Sequence, residues 1–282
     1  MQQKQSNSSI PIGIQTAIKN IKPISPYVLE IVTNTSLEDL SLLDLARKLS
    51  FEPVLSAKLL DATRAAAYGL NKEIESVFQA VSILGSRRVL DIIVASSLQE
   101  SFGKTFSTVE YDIWEHSLQV AYAMQTMLRE LNIFITPMAR AFTTGLIHDI
   151  GKLVLLQYLK NEKKEAELAE FSKNAVNGGD RALAYEGIRF KVTHVDIGAY
   201  LAKSWSMPNE MVTAIANHHM KDKRRFPNGL TRLLIWAHTL VDKNLTPDQK
   251  RSMLPFSIID KQEEIMGSIQ REVDNIIFFF EK

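Results

Sequence analysis

Apolar residues return at helical spacing along this chain, and strand-like alternation of any length is absent. Leu42, Leu45, Ala46 and Leu49 fall at i, i+3, i+4 and i+7, one stripe of one helix, and Ser41 followed by Asp44 makes an N-terminal cap. Pro53 suits the first turn of the next helix, which carries Leu55, Leu59 and Leu60 inward and meets its stop at Gly69. A third helix is expected over 74–84, with Gly85 behind it. A fourth follows, with Val89, Ile92, Ile93 and Leu98 on its buried face. Short helices with short joints indicate a compact helical lobe over 10–104, preceded by a disordered tail over 1–9.

The polar and glycine-bearing stretch SFGKTFSTVEYD separates this lobe from a second, expected over 105–282. The first helix there has Ile113, Val120, Ala121, Met124 and Leu128 on one side, with His116 near its beginning. Thr136-Pro137 supplies a cap and a first-turn proline for a helix that includes Ala141, Leu146 and, late in it, His148 and Asp149. LKNEKKEAELAEFSKNA reads as a solvated surface helix with i to i+4 ion pairs. His194 opens a further segment, Pro208 starts a helix that runs into His218-His219, and LTRLLIWAHTLVDK is one more apolar helix. The closing IIFFFEK is expected to fold back on the core, or in the alternative to mark an interface, since an exposed triple phenylalanine invites association. The fold expected is therefore all-α and two-lobed, an N-terminal helical bundle packed on a second helical domain.

The chain has 6 histidines and no cysteine. Every histidine falls in the second lobe: His116, His148, His194, His218, His219 and His238. A lone histidine on an apolar helix face is more often a hydrogen-bonded core residue than a ligand, so the argument rests on the ensemble. The adjacent His148-Asp149 supplies an imidazole and a carboxylate from one turn, and an aspartate can bridge two cations roughly 3.5–4 Å apart. His116 can complete one position. His194 and the His218-His219 doublet can serve the second, or one of them can contact a phosphate. Helices converging on one point are how bundles build metal sites. The cofactor expected is one or two divalent transition ions: Fe, Mn, Ni or Zn.

Other classes are disfavoured. Lys+Arg 33 against Asp+Glu 32 leaves a net charge of +1, which gives no global field for duplex DNA. The absence of cysteine removes disulfides, thiolate ligands and thiol catalysis, and points to a reducing compartment. No apolar run approaches the roughly 20 residues that span a bilayer, so neither DNA nor a membrane is an expected partner and the setting expected is cytoplasmic. No serine-histidine nucleophile system and no glycine-rich phosphate loop is present.

WEHSLQVA, GLIHDIGKLVLL and HVDIGAYLAKSWSMPNEMVTAIANHH resemble the HD superfamily of metal-dependent phosphohydrolases, and more closely its HDOD branch of bacterial signalling proteins. SLLDLARKLSFEPVLSAKLLDATRAAAYG and ESVFQAVSILGSRRVLDII are similar to the amino-terminal helical part of HDOD proteins, so the resemblance covers nearly the whole chain. It implies an HD-type second domain in which His116, His148 and Asp149 are metal ligands. By similarity to the HD-GYP relatives, His194, His218 and His219 would hold a second metal. Lys152 matches a residue that faces phosphate, and Asp149 and Lys152 are the catalytic candidates. The ligand implied is a nucleotide or another phosphoester, and a signalling protein is a further partner.

The chain departs from the family in places. His238 stands where the family usually has its final aspartate ligand, with Asp242 one helical turn later on the same face, so that either side chain could reach a metal. After His219 the chain reads MKDKRRFPNG, without the Gly-Tyr-Pro motif of cyclic-di-GMP phosphodiesterases. The run from Lys221 to Arg225 reads first as a solvated loop and second as an attractor of anionic nucleotides. Glu52 and Arg64 stand where the family tends to have aspartate and asparagine. Many HDOD proteins have lost ligands and act as non-catalytic signalling modules, whereas this chain keeps most of them.

Overall fold

The computed structural model of the chain describes residues 10–33, 41–50, 53–64, 74, 76–102, 107–175, 179–220 and 228–280. The tail over 1–9, Glu52, the stop at Gly69, the junction at 105 and the charged run over 221–225 lie outside them, as do the side chains of Arg64 and residues 278–280. Among the described residues every regular element is an α-helix. None of these helices is long and apolar enough to cross a membrane.

The amino-terminal part contains α1 (Ile12–Lys19), α2 (Pro26–Thr33), α3 (Leu42–Ser50), α4 (Pro53–Arg64), α5 (Val77–Leu84) and α6 (Ser86–Phe102). Ser76 accepts a hydrogen bond from the Gln79 amide and caps α5, so this helix starts three residues later than its apolar pattern. Gly85, at φ 77, breaks the chain between α5 and α6. Every residue from Val89 to Leu98 on α6 is buried, because α2, α4, α5 and α8 all pack against it.

The remaining helices are α7 (Thr108–Glu130), α8 (Met138–Ile147), α9 (Ile150–Asn161), α10 (Glu165–Ala175), α11 (Gly179–Phe190) and α12 (His194–Ser204). They are followed by α13 (Asn209–Asn217), α14 (Gly229–Val241), α15 (Pro247–Met253), α16 (Phe256–Asp260) and α17 (Gln262–Phe280). A capping box between Ser107 and Glu110 starts α7, the axis against which α8, α14 and α17 pack. Tyr122 of α7 and Phe142 of α8 meet edge to face with centroids 5.1 Å apart. Gly145 permits the closest approach, since a Cβ there would lie 2.5 Å from the Ala121 Cα. Ile265, Ile269, Val273 and Ile276 form the buried stripe of α17, each contributing about 1.5–3 kcal/mol by leaving water. Of the closing IIFFFEK, Ile276 and Ile277 are buried, while the phenylalanine side chains on which the expectation rests lie outside the described residues. One continuous apolar core runs from Ile14 to Ile277, and α1 rests on α9, where Gly13 faces the Tyr158 ring.

Two local expectations need correction. His148 and Asp149 do not sit late inside a helix: α8 ends at Ile147, His148 is its C-cap, and Asp149 is the N-cap of α9. Neighbours in a continuous helix diverge by about 100°, and the break lets both side chains turn inward. The charged stretch is not one solvated helix either. It divides at residues 162–164, where Lys163 takes a φ of 53, and α10 turns Phe171 and Ala175 into the core.

Candidate metal centre

Six elements deliver the seven residues that the sequence singles out as ligands. His116 comes from α7, His148 and Asp149 from the α8–α9 junction, and His194 is the first residue of α12. His218 and His219 follow α13 directly, and His238 lies in the last turn of α14. Their ligand atoms form two groups that share Asp149. One is His116, His148, Asp149 and His238, the other Asp149, His194, His218 and His219, and within each group the atoms lie within 4.8 Å of one another.

Asp149 is fully buried, and its two oxygens face different histidines. Oδ2 lies 3.3 Å from His148 Nε2 and 3.8 Å from His116 Nε2. Oδ1 lies 3.3 Å from His194 Nε2 and 3.6 Å from His218 Nε2, while His194 Nε2 and His219 Nε2 are 3.2 Å apart. The His238 ring completes the first group, with its centroid 5.1 Å from that of His116 and 5.4 Å from that of His148.

Hydrogen bonds on the far side of the rings fix the tautomers. His148 Nδ1 donates to the Gly145 carbonyl at 2.7 Å, and His218 Nδ1 to the Ile215 carbonyl at 2.7 Å. A carbonyl only accepts, so each Nδ1 carries a proton, and Nε2, the ring nitrogen on the side of Asp149, is the atom that the neutral ring offers as a ligand. His194 is held by Glu186, a fully buried residue that sequence reasoning missed. The Glu186 Oε2 accepts from the His194 backbone amide and from Nδ1, each at 2.7 Å. That amide belongs to the first turn of α12 and has no partner within the helix.

These tautomers leave orphans. His148 Nε2, His218 Nε2 and Asp149 Oδ1 are buried without a hydrogen-bond partner, a costly arrangement for three polar atoms. A divalent cation satisfies all three, because lone-pair nitrogens and a carboxylate oxygen are its ligands. The residues present therefore fit a metal.

Electrostatics prepare the same ligand state. Burial, reinforced by His148, pushes His116 down to about 3, and burial takes His218 down to about 4. Burial also holds His219 and His238 well below the usual imidazole range. Burial alone would raise the Asp149 carboxyl, but His148 and Lys152 overcome it and hold the group well below the ordinary carboxylate range. At neutral pH these four imidazoles are neutral and Asp149 is ionised.

Lys152 is bonded to the carboxylate and also reaches the cavity. Its Nζ donates to Asp149 Oδ2 at 2.6 Å, although the residue also lines a cavity of about 230 Å³ beside His116, His219 and His238. Asp112, Glu115 and Asp242 lie on the wall of that cavity. Of the two candidates on α14, His238 joins the cluster, while Asp242 caps the helix and its Oδ1 accepts from the Asn244 amide at 2.8 Å.

The HDOD domain family model matches residues 21–221. A ribonuclease Y of Geobacter sulfurreducens is 26% identical over 186 residues, 64% of this chain and 28% of that protein. A solved structure of a candidate phosphohydrolase from Shewanella amazonensis superposes with a TM-score of 0.63 at 22% identity, over 96% of this chain and 97% of its own. A candidate signal transduction protein from Marinobacter aquaeolei gives a TM-score of 0.70 at 19% identity, over 96% of this chain and 65% of its own. Both structures share the fold. The chain spans about half, or less, of the length of the curated relatives it matches.

Proposed function

Because the chain belongs to the HDOD family, we propose that it is a metal-dependent phosphohydrolase, acting on a nucleotide or another phosphoester in signalling. The observation that carries this reading is a buried carboxylate shared by two groups of three histidines each, with three orphaned ligand atoms among them. Divalent ions bound there would polarise a phosphoryl group and supply a nucleophilic water. His116, His148 and His238 would hold one ion and His194, His218 and His219 the other, with Asp149 between them. Fixed Nδ1–H tautomers keep the Nε2 lone pairs aimed without rearrangement. Lys152 reaches both Asp149 and the cavity, so its ammonium can meet phosphoryl oxygens as charge develops on them.

The test is phosphate release from a panel of nucleotides and simple phosphoesters with Mn, Fe or Ni added. Turnover that disappears in His148→Ala and Asp149→Ala supports the reading. A second reading, a signalling module that keeps its ligand site without turnover, is favoured by one observation: Lys152 already supplies a positive charge at Asp149 Oδ2. It predicts metal or nucleotide binding with no phosphate released from any member of the panel.

A further inference from the structure

The two positions around Asp149 differ in what stands behind them. Glu186 places a second buried carboxylate on the far side of His194, so the position of His194, His218 and His219 is backed by two anions, Asp149 and Glu186. At the position of His116, His148 and His238, Asp149 Oδ2 is engaged by the Lys152 ammonium. An ion there meets a repelling cation that has to release the oxygen first. Geometry points the same way. Ligands bonded to one ion at about 2.1 Å lie roughly 3–3.5 Å from one another. The position of His194, His218 and His219 has separations of 3.2, 3.3 and 3.6 Å, whereas at the position of His116, His148 and His238 the His148 Nε2 is 3.3 Å and the His116 Nε2 3.8 Å from Oδ2, and Lys152 Nζ is bonded to that same oxygen at 2.6 Å.

We propose that the centre loads in a fixed order, with a tight ion at His194, His218 and His219 and a weaker second ion at His116, His148 and His238, and that Glu186 and Lys152 set the gap between them. This rests on the metal-centre reading above, though not on turnover. Glu186 is a positioning residue: it presents His194 as a Nδ1–H tautomer and makes Nε2 a more basic ligand. Lys152 is the gate. Binding of the second ion displaces its amine from Asp149 Oδ2 into the cavity, where a phosphoryl group would meet it. The singly loaded protein thus keeps Lys152 withdrawn, and the supply of the second ion sets the competent fraction.

The experiment is a calorimetric titration of the metal-free full chain with Mn²⁺. Two steps separated by about tenfold or more are expected in the unaltered protein. Glu186→Gln should weaken the tight step by about 10–100-fold and leave the weak one within about threefold. Lys152→Met should tighten the weak step and leave the tight one unchanged. A single class of two equal sites overturns the proposal, as does Glu186→Gln weakening both steps alike or Lys152→Met leaving the weak step where it was. If Glu186→Gln does not fold, as judged by helical circular dichroism, the unaltered protein and Lys152→Met still decide. Unequal steps without phosphate release defeat only the hydrolase reading, and equal steps with phosphate release defeat only this one.

Discussion

Gly151 lies so close to His194 that a Cβ built on it would fall 2.1 Å from the His194 carbonyl oxygen. The start of α12 can approach Asp149 only because α9 has no side chain at this point. Gly151→Ala must push the two backbones apart and carry His194 away from Oδ1. The cost expected is about 1–3 kcal/mol of stability, with loss of metal affinity. Gly187→Ala is the control, since the nearest atom there, Thr193 Cγ2, is 4.0 Å away and alanine favours helix by roughly 0.5–1 kcal/mol. Urea denaturation of both variants, with metal content measured by elemental analysis, checks the pair.

The orphaned atoms at the centre predict a stability effect of metal removal. Chelation should lower the unfolding temperature of the unaltered protein, because ligands that bind only the folded state stabilise it by mass action. In Asp149→Asn the carboxylate shared by the two histidine groups is gone, and the shift on chelation should vanish. Thermal unfolding followed by helical circular dichroism, with and without chelator, reads this. An equal shift in both proteins would mean that the ions sit elsewhere.

Asp91 supplies a pH dependence independent of the metal. Burial raises its carboxyl to about 7, with Arg87 and the hydrogen bond from Gln125 opposing the rise, and Glu272 and Arg88 also act on it. A carboxyl whose pKa is higher in the folded state holds its proton there while the unfolded chain has lost it. Its contribution is thus greatest at low pH and declines as pH rises from near 3.8 to about 7. Asp91→Asn should remove that decline, so the variant gains on the unaltered protein between pH 5 and 8, to be measured by urea denaturation at about these two values.

Much of the fold is legible in the sequence, because apolar stripes such as Leu45, Ala46 and Leu49 follow from helical geometry alone. The histidine set is legible too, since few residue types serve a metal in a chain without cysteine. The break at His148-Asp149 is not, because both flanking stretches favour helix and the turn is imposed by packing against α7 and α12. The turn at Lys163 has no glycine to announce it. Glu186 does carry a signal in the sequence: Ala182, Glu186 and Phe190 fall at i, i+4 and i+8, which places a carboxylate on the buried stripe of α11. The pairing of Lys152 with Asp149 was readable as well, since the two stand three residues apart.

Catalysis carries its own prediction. His148→Ala and Asp149→Ala should abolish phosphate release, whereas Lys152→Met should retain a fraction and lose about 10²–10³ in kcat, the range for one lost charge-stabilising donor. Initial rates on the best substrate of the panel measure this. A Lys152→Met rate equal to that of the unaltered protein would remove Lys152 from the chemistry.

The central claim is that Asp149 bridges two cations between the histidine trios, and anomalous diffraction from crystals grown with Mn²⁺ tests it directly. The account predicts two anomalous peaks flanking the Asp149 carboxylate, roughly 3.5–4 Å apart, one against each trio. A density map with no peak within bonding distance of Asp149, and with the His148 and His218 Nε2 atoms hydrogen bonded to water instead, would contradict it.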